Sequence, residues 1–124
     1  LDAATQGFID AVQEKLGADN VDISVQNAAN DQNVCTTIVN TFVSQKVDLI
    51  MANATPSLQA AYNATTEIPI LGTAVTEYGV ALGLKDFNGT VGGNVSGTSD
   101  LAPLTEQADM ILELFPEAKT VFLL

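Results

Sequence analysis

The stretch that most constrains the fold is Val47 to Ala60, where a short apolar run, a polar loop and a helix start follow one another. The run at 47–52 is long enough for one buried strand. Thr55 occupies the position of a helix N-cap, and Pro56 fits the first helical turn, where its missing N–H costs nothing. A strand, a loop and a capped helix make one βα unit of a parallel sheet. Ligands of such sheets bind at the loops that leave the carboxyl ends of the strands, so any small ligand is expected near 53–57.

Strands and helices alternate along the rest of the chain. Apolar residues at helical spacing predict helices over 3–16, 31–45, 56–65, 78–83 and 103–115, the second of them opened by Asp31. Alternating or short apolar runs predict strands over 21–26, 47–52, 68–72, 91–96 and 120–124. We therefore predict an α/β fold with three layers: an open parallel sheet of about five strands with helices on both faces, as in flavodoxin-like domains.

The composition excludes several classes of function. The 124 residues are expected to form one domain, with 4 Lys plus Arg against 15 Asp plus Glu, a net charge of −11 and no His. So acidic a chain does not fit nucleic acid or a polybasic membrane anchor. Without His, and with Cys35 as the single cysteine, neither a Ser–His–Asp triad nor a zinc site is expected. Phosphate-binding glycine motifs are absent, so nucleotide binding is not expected. Composition leaves a paired-carboxylate hydrolase open, but nothing in the sequence places two acids together. We predict no cofactor, no metal and no enzymatic activity.

Targeting signals are also missing from the sequence. No apolar run approaches the roughly 18 residues that a membrane span requires. No signal peptide opens the chain. The expectation is that the protein is cytosolic or that its leader has been trimmed.

Five segments carry a family resemblance along nearly the whole chain: LDAATQGFIDAVQEKLG, VDISVQNAANDQ, VDLIMANATPSLQAAYNATTEIPILGTAVTE, VGGNVSGTSDLAP and LFPEAKTVFLL. Together they resemble the ABC-transporter solute-binding proteins of the tryptophan/tyrosine-binding type, which have two type I periplasmic-binding lobes and a ligand cleft between them. The resemblance implies that 1–100 form the first lobe without its opening strand. It implies that 101–124 begin the second lobe.

The missing strand leaves a gap to be filled. In this fold the opening strand lies in the middle of the sheet, so its absence would leave 21–26 and 47–52 with unpaired edges. The segment 120–124 matches the opening strand of the second lobe, and we predict that it fills this central slot. The sheet order would be 21–26, 120–124, 47–52, 68–72, 91–96, as in a circularly permuted lobe. Strand exchange in a swapped homodimer is the alternative.

Candidate ligand-binding residues follow the first of the predicted central strands. Asn53, Thr55 and Ser57 lie in the loop and helix start after 47–52. Hydroxyls and free N–H groups at a helix N-terminus can hold a carboxylate, and the resemblance implies contact with the head group of an amino acid. The alternative is that Thr55 only caps the helix.

Further candidates follow the next two strands. Thr76 lies in TAVTE, which matches a family segment that usually reads TAVTD before a proline, so Glu77 and Tyr78 depart from the pattern. Ser99 and Asp100 lie where the family crosses between lobes, and a carboxylate there can pair with a ligand ammonium; a cap for the helix at 103 is the alternative. Tyr78 is a candidate aromatic wall, and Gly72 stands where the family commonly has a larger residue.

The resemblance implies a function for the parent protein. It would be an extracytoplasmic solute-binding protein, periplasmic or a cell-surface lipoprotein, that delivers tryptophan, tyrosine, phenylalanine or a similar small solute to an ABC transporter permease. Two alternatives stay open: an isolated or engineered lobe with no binding of its own, and a flavodoxin-like enzyme domain. An isolated lobe is expected to bind weakly or not at all, because it cannot close around a ligand.

Overall fold

The computed structural model describes residues 2–122 and contains five helices and three strands. The elements in chain order are α1 (Asp2–Leu16), a 3-10 turn (Ala18–Asn20), α2 (Gln32–Gln45), β1 (Ile50–Asn53), α3 (Thr55–Ala64), β2 (Ile70–Val75), α4 (Tyr78–Leu82), β3 (Val95–Ser99) and α5 (Leu104–Leu114). Their alternation confirms the predicted α/β class.

The strands form one parallel sheet in the order β1-β2-β3. Ile50 pairs with Ile70 and Ile70 with Val95, so the three strands begin level with one another. Since every strand runs in the same direction, the loops that leave their carboxyl ends share one edge of the sheet.

Side chains alternate between the two faces of the sheet, and helices lie against both. Ile50, Ala52 and Ile70 face α2 and α3, and the fully buried Leu58 of α3 lies in the same core. On the opposite face, Phe8 of α1 lies near Met51 and Leu71 around a cavity of about 390 Å³. This arrangement confirms the three layers.

The residues at the two ends of α2 explain where this helix begins and ends. Asp31 accepts hydrogen bonds from the N–H groups of Asn33 at 2.8 Å and Val34 at 3.0 Å, which confirms it as the N-cap. Lys46 ends the helix in a left-handed conformation, with φ 55°, and its N–H bonds to the carbonyls of the last turn. The chain therefore reverses tightly before it enters β1.

The prediction of five strands is wrong in count for the part of the chain that the structure describes. Residues 21–26 are not a strand, and their backbone forms no hydrogen bonds to other described residues. The third strand spans Val95–Ser99 rather than 91–96, because Gly92 and Gly93 turn the chain with φ 79° and 60°. A strand needs a hydrogen-bonded neighbour, and 21–26 has none among residues 2–122.

A groove of about 1160 Å³ separates 21–26 from β1, with α1 and α2 forming its other walls. This groove is the predicted central slot. The described part of 120–124 does not fill this slot. Residues 120–122 are not a strand, and the side chains of Val121 and Phe122 are 57% and 89% exposed. Residues 123 and 124 lie outside the described residues. The groove-facing edge of β1 thus has no partner strand within 2–122.

Helix α5 exposes apolar side chains that no other described element covers. Leu104, Leu112 and Phe115 are exposed by 66%, 61% and 65%. Their spacings of eight, three and eleven residues place them on one stripe of the helix. A stripe of this kind is typical of a helix that packs against another structural unit.

Within residues 2–122, none of the helices has the length and apolarity that crossing a membrane requires.

The core assignment predicts a large effect for Leu58→Ala. Leu58 has no exposed surface, so the substitution should leave a cavity and lower the free energy of unfolding by about 2–5 kcal/mol. Leu104→Ala is the matched control, because Leu104 also lies in a helix but is 66% exposed, and its effect should stay within about 0.5 kcal/mol. Urea unfolding of both variants measures the difference; equal effects would contradict the assignment of the core.

Candidate ligand-binding site

The loops after β1, β2 and β3 meet at the carboxyl edge of the sheet. The N–H of Ala54 donates to the carbonyl of Thr73 at 2.9 Å, which ties the loop after β1 to β2. The N–H of Asp100 donates to the carbonyl of Val75 at 3.2 Å, which ties the end of β3 to the end of β2. All six predicted site residues lie at or just after these strand ends.

The start of α3 differs from the prediction in one respect. Thr55 is not the N-cap but the first helical residue, and Ala54 holds the cap position with φ 78° and ψ 161°. An alanine side chain cannot accept a hydrogen bond, so no side chain caps this helix. The alternative reading of Thr55 as a mere cap is therefore wrong, and its hydroxyl is available for another partner.

The conformation of Ala54 carries a cost. Positive φ with extended ψ is a region populated almost only by glycine, and an alanine there costs of order 1–3 kcal/mol. This conformation lets the chain turn sharply from β1 into α3. The N–H of Leu58 then donates to the Ala54 carbonyl at 3.1 Å. The turn leaves the first N–H groups of α3 at the carboxyl edge of the sheet, where an anion is favoured.

Neighbouring helices orient the other two residues of this loop. The amide nitrogen of Asn53 donates to the Thr5 hydroxyl of α1 at 2.9 Å. The hydroxyl of Ser57 lies 4.0 Å from the sulfur of the buried Cys35 in α2. Ser57 is half-buried and its hydroxyl is directed toward α2, so its backbone N–H is the group better placed for a ligand.

A β-bulge shapes the ends of β2 and β3. Gly72 pairs with Gly97 but Val75 pairs with Ser99, so β2 contains one residue more than β3 between these pairs. Ala74 accommodates the extra residue with φ 52°. A bulge re-aims the residues that follow it, and here it turns the end of β2 toward Ser99.

The bulge brings Thr76 and Ser99 together. The hydroxyl of Ser99 donates to the Thr76 carbonyl at 2.7 Å and accepts from the N–H of Leu101 at 3.2 Å. Asp100 follows with an exposed side chain. It is not the cap of α5, since Pro103 holds that position without a side-chain hydrogen bond, so the capping alternative is wrong.

Tyr78 is a core residue and not an aromatic wall of the site. Its side chain is only 6% exposed, and its hydroxyl donates to the Thr98 carbonyl at 3.1 Å. A β-carbon on Gly72 would lie 2.5 Å from that hydroxyl, and one on Gly97 would also collide with it. The two paired glycines therefore make room for the ring, which explains the small residue at position 72.

Sequence reasoning missed this packing, although the signal was present in the chain. Glu77 was predicted only as a departure from a family pattern, and Tyr78 as a departure from that pattern and a candidate aromatic wall. Glu77 is the N-cap of α4 and accepts from the N–H of Gly79 at 2.8 Å. An aromatic residue placed beside two glycines in facing strands would have indicated the contact.

The six candidates form two groups along one edge. One group, at the end of β1 and the start of α3, contains Asn53, Thr55 and Ser57. The other, at the ends of β2 and β3, contains Thr76, Ser99 and Asp100. Together they offer hydroxyls, N–H groups and one carboxylate. No cluster of His, Cys, Asp and Glu able to hold a metal ion occurs within residues 2–122. Such a set of groups suits a small ligand that carries both a negative and a positive charge.

Comparison with protein families agrees with this fold. The family model described as "ABC transporter substrate binding protein" matches residues 1–124. The tyrosine-binding protein of Clostridioides difficile strain R20291 is 47% identical over 123 residues, which cover 98% of this chain and 35% of that protein.

Solved structures show the same relationship. A substrate-binding protein with adhesive properties from Clostridium difficile, in its ligand-free open form, is 45% identical with a TM-score of 0.80, over 95% of this chain and 40% of its own. An ABC domain from Streptococcus pneumoniae in complex with L-Trp is 32% identical with a TM-score of 0.81; the match covers 92% of this chain and 39% of that domain's chain. A conserved domain protein from Vibrio cholerae is 33% identical with a TM-score of 0.84; the match covers 94% of this chain and 40% of that protein's chain.

The chain belongs to the family of ABC transporter substrate-binding proteins. It spans about 35% of the length of the curated relative and about 40% of the solved structures. Because this is a family of binding proteins, the prediction that the chain is not an enzyme is confirmed, and the flavodoxin-like enzyme alternative is wrong.

The packing of Tyr78 predicts that Gly72→Ala destabilises the chain. The new methyl group would overlap the Tyr78 side chain, and overpacking of this kind costs about 1–3 kcal/mol. Gly7→Ala in α1 is the matched control, because nothing lies within 4 Å of its added β-carbon, and it should stabilise the helix by about 0.5–1 kcal/mol. Thermal unfolding distinguishes the two; a stabilising Gly72→Ala would contradict the contact.

Burial of Tyr78 also predicts a dependence of stability on pH. The pKa of its phenol is raised above its ordinary value of about 10, first by burial and second by repulsion from Asp100. Folding therefore favours the protonated form, a contribution that is present below pH ~10 and lost as pH rises through the raised pKa. The stability difference between the wild type and Tyr78→Phe should shrink as the pH rises above ~10 in urea unfolding; a constant difference would refute this.

Proposed function

We propose that residues 1–100 form most of the first lobe of a two-lobe solute-binding protein, and that 101–124 begin its second lobe. The partial coverage of the longer relatives supports this division. So does the exposed apolar stripe of α5, which lacks a partner among residues 2–122 and would pack within the second lobe. The carboxyl edge of the sheet would then form one wall of the cleft between the lobes.

The proposed ligand is an aromatic amino acid, namely tryptophan, tyrosine or phenylalanine, or a similar small solute. The observation that carries this proposal is that an uncapped helix start after β1 and the carboxylate of Asp100 after β3 lie along the same edge of the sheet, with β2 between them. A tyrosine-binding protein at 47% identity and an L-Trp complex at 32% identity agree with it. Neither comparison distinguishes the three side chains.

Each charged group of an amino acid has a complementary partner at this edge. The α-carboxylate would accept hydrogen bonds from the first N–H groups of α3 and from the Thr55 hydroxyl. The α-ammonium would donate to the carboxylate of Asp100. Charge-assisted bonds of this kind are roughly twice as strong as neutral ones.

The remaining candidates orient these groups or supply further hydrogen bonds. Asn53 lies at the end of β1, next to the start of α3, and contacts α1 through Thr5. Ser57 would contribute its N–H, while Thr76 and Ser99 hold the end of β2 against the end of β3.

The aromatic side chain of the ligand would need a wall that this lobe does not supply. Tyr78 is buried beneath the sheet and cannot reach the cleft. The aromatic wall would therefore come from the second lobe, and the ligand would be enclosed only when both lobes close on it. An isolated lobe would bind weakly, because half of the contacts and all of the enclosure would be missing.

The parent protein is proposed to work outside the cytoplasm, in the periplasm or as a cell-surface lipoprotein, and to deliver its solute to an ABC transporter permease. Membership of the substrate-binding family supports this assignment.

A strand-swapped homodimer through 120–124 is a secondary proposal, supported by the open groove and the exposed Val121 and Phe122. The mass of the protein in solution tests it.

Isothermal titration with L-tryptophan, L-tyrosine and L-phenylalanine tests the proposed function. The two-lobe protein should bind at least one of them with micromolar or tighter affinity, whereas the 124-residue chain alone should bind weakly or not at all. Asp100→Asn should weaken binding by about tenfold or more, the effect of losing a charged partner. Asp109→Asn, an acid-to-amide change in the exposed helix α5, is the matched control and should bind like the wild type.

Two outcomes would overturn the proposal. One is a two-lobe protein that binds none of the three amino acids. The other is an isolated chain that binds as tightly as the two-lobe protein, since the second lobe would then contribute nothing. Equal losses from Asp100→Asn and Asp109→Asn would remove Asp100 from the site.

A further inference from the structure

Tyr78 connects α4 with the end of β3 beneath the candidate site. Its ring lies over the facing glycines Gly72 and Gly97, and its hydroxyl donates to the Thr98 carbonyl at 3.1 Å. Thr98 directly precedes Ser99 and Asp100. The phenol is thus one residue removed from the proposed ligand-binding group, although it does not itself reach the cleft.

The end of β3 has few other restraints. Beyond Val95, all residues of β3 are exposed, and this strand is paired only on its β2 side within residues 2–122. Besides the pairing of Val75 with Ser99 in the sheet, the end of β3 is held by bonds from Asp100 to Val75, from Ser99 to Thr76 and from Tyr78 to Thr98. The hydroxyls of Thr73 and Thr98 also lie 3.3 Å apart. Among these, the bond from Tyr78 alone comes from a buried side chain.

The neighbouring backbone leaves little freedom for an alternative position of the ring. A β-carbon on Gly97 would also collide with the backbone of Gly72, so the two strands approach closely at this pair. The ring fills the space on the helix side of the pair, and Glu77 holds the start of α4 by capping it. The hydroxyl is therefore presented to β3 from a rigid support.

We propose that Tyr78 is a positioning residue of the candidate site, whose hydroxyl sets the direction in which β3 presents Ser99 and Asp100 to the ligand. The inference rests on the proposed function for its effect on binding, but its effect on the end of β3 is independent of any ligand. The raised pKa of the phenol, caused by burial and by Asp100, agrees with the proximity of the two groups. The phenol stays protonated at neutral pH and is thus able to donate.

The test compares Tyr78→Phe with Tyr62→Phe in the two-lobe protein. Tyr78→Phe keeps the ring and removes only the hydroxyl, and it should weaken amino-acid binding by about two- to tenfold, as expected for one lost hydrogen bond. Tyr62 is the matched control, since it is the second tyrosine of the chain, lies half-buried in α3 and should tolerate the change without loss of affinity. Titration calorimetry measures both variants with the same amino acid.

A second control separates positioning from stability. Val39→Ala removes buried volume from α2, in the core rather than at the site, and should lower the melting temperature at least as much as Tyr78→Phe. Its affinity for the amino acid should nevertheless stay at the wild-type value. If Val39→Ala and Tyr78→Phe weaken binding equally, Tyr78 has only a structural role and the inference is wrong.

A ligand-free measurement distinguishes failure of this inference from failure of the proposed function. In amide NMR spectra of the two-lobe protein, Tyr78→Phe should shift the Ser99, Asp100 and Leu101 signals and speed their hydrogen exchange, while Tyr62→Phe should not. If the wild type binds no amino acid, the proposed function fails and these spectra still decide the positioning role. If the signals of 99–101 are unchanged, or if a binding wild type and Tyr78→Phe have equal affinities, the inference is overturned.

Discussion

Strand β2 supports the rest of the structure, because it is the strand within residues 2–122 that is hydrogen-bonded along both edges. Ile70 at its start is fully buried and pairs with both neighbours, and Val75 at its end is fully buried as well. Apolar burial at both ends of one strand holds β1 and β3 in register. Pairing with β2 therefore fixes the relative positions of the loops that carry the candidate site residues.

The edge of β1 that faces away from β2 has no strand beside it within residues 2–122. The outer edge of β1 faces the groove, and 21–26 lies across the groove without a backbone partner in the described part of the chain. The free N–H and C=O groups of an unpaired strand edge can form hydrogen bonds with any extended segment that reaches them. Phe8 and Val12 of α1, at the groove wall, are only half-buried in consequence. The stable part of this lobe is thus the side built from β1, β2 and β3, which is also the side that presents the candidate site.

The sequence predicted those parts of the fold that depend on local periodicity and capping. The helix at 31–45, opened by Asp31, and the strand before Thr55 arise from apolar spacing that any parallel α/β chain would use. The strand at 21–26 failed because alternation predicts a strand only when a partner exists to bond it. The segment 120–124 was assigned to the central slot by equivalence with another strand, which does not by itself determine where a segment packs.

The candidate site was predictable in location but not in detail. The carboxyl edge of a parallel sheet follows from the βα order, which led to Asn53, Thr55, Ser57 and Thr76, while the family resemblance led to Ser99 and Asp100. The structure places all six along that edge. The cap at Ala54 was missed because its backbone conformation is one that alanine rarely adopts. The bulge at Ala74 and the burial of Tyr78 were missed because both depend on how two strands approach each other. Long-range geometry of this kind leaves only weak signals in one sequence.

The chemistry of the site also explains why half of it should not suffice. An amino acid is a zwitterion, so the net charge of −11 neither attracts nor repels it at long range, and binding must depend on short hydrogen bonds. In an open lobe those bonds compete with water, since Thr76, Ser99 and Asp100 are all exposed. Excluding water strengthens each bond, because the same charges interact more strongly in a less polar environment. The groups at this edge therefore gain most of their binding strength only when a second surface covers them.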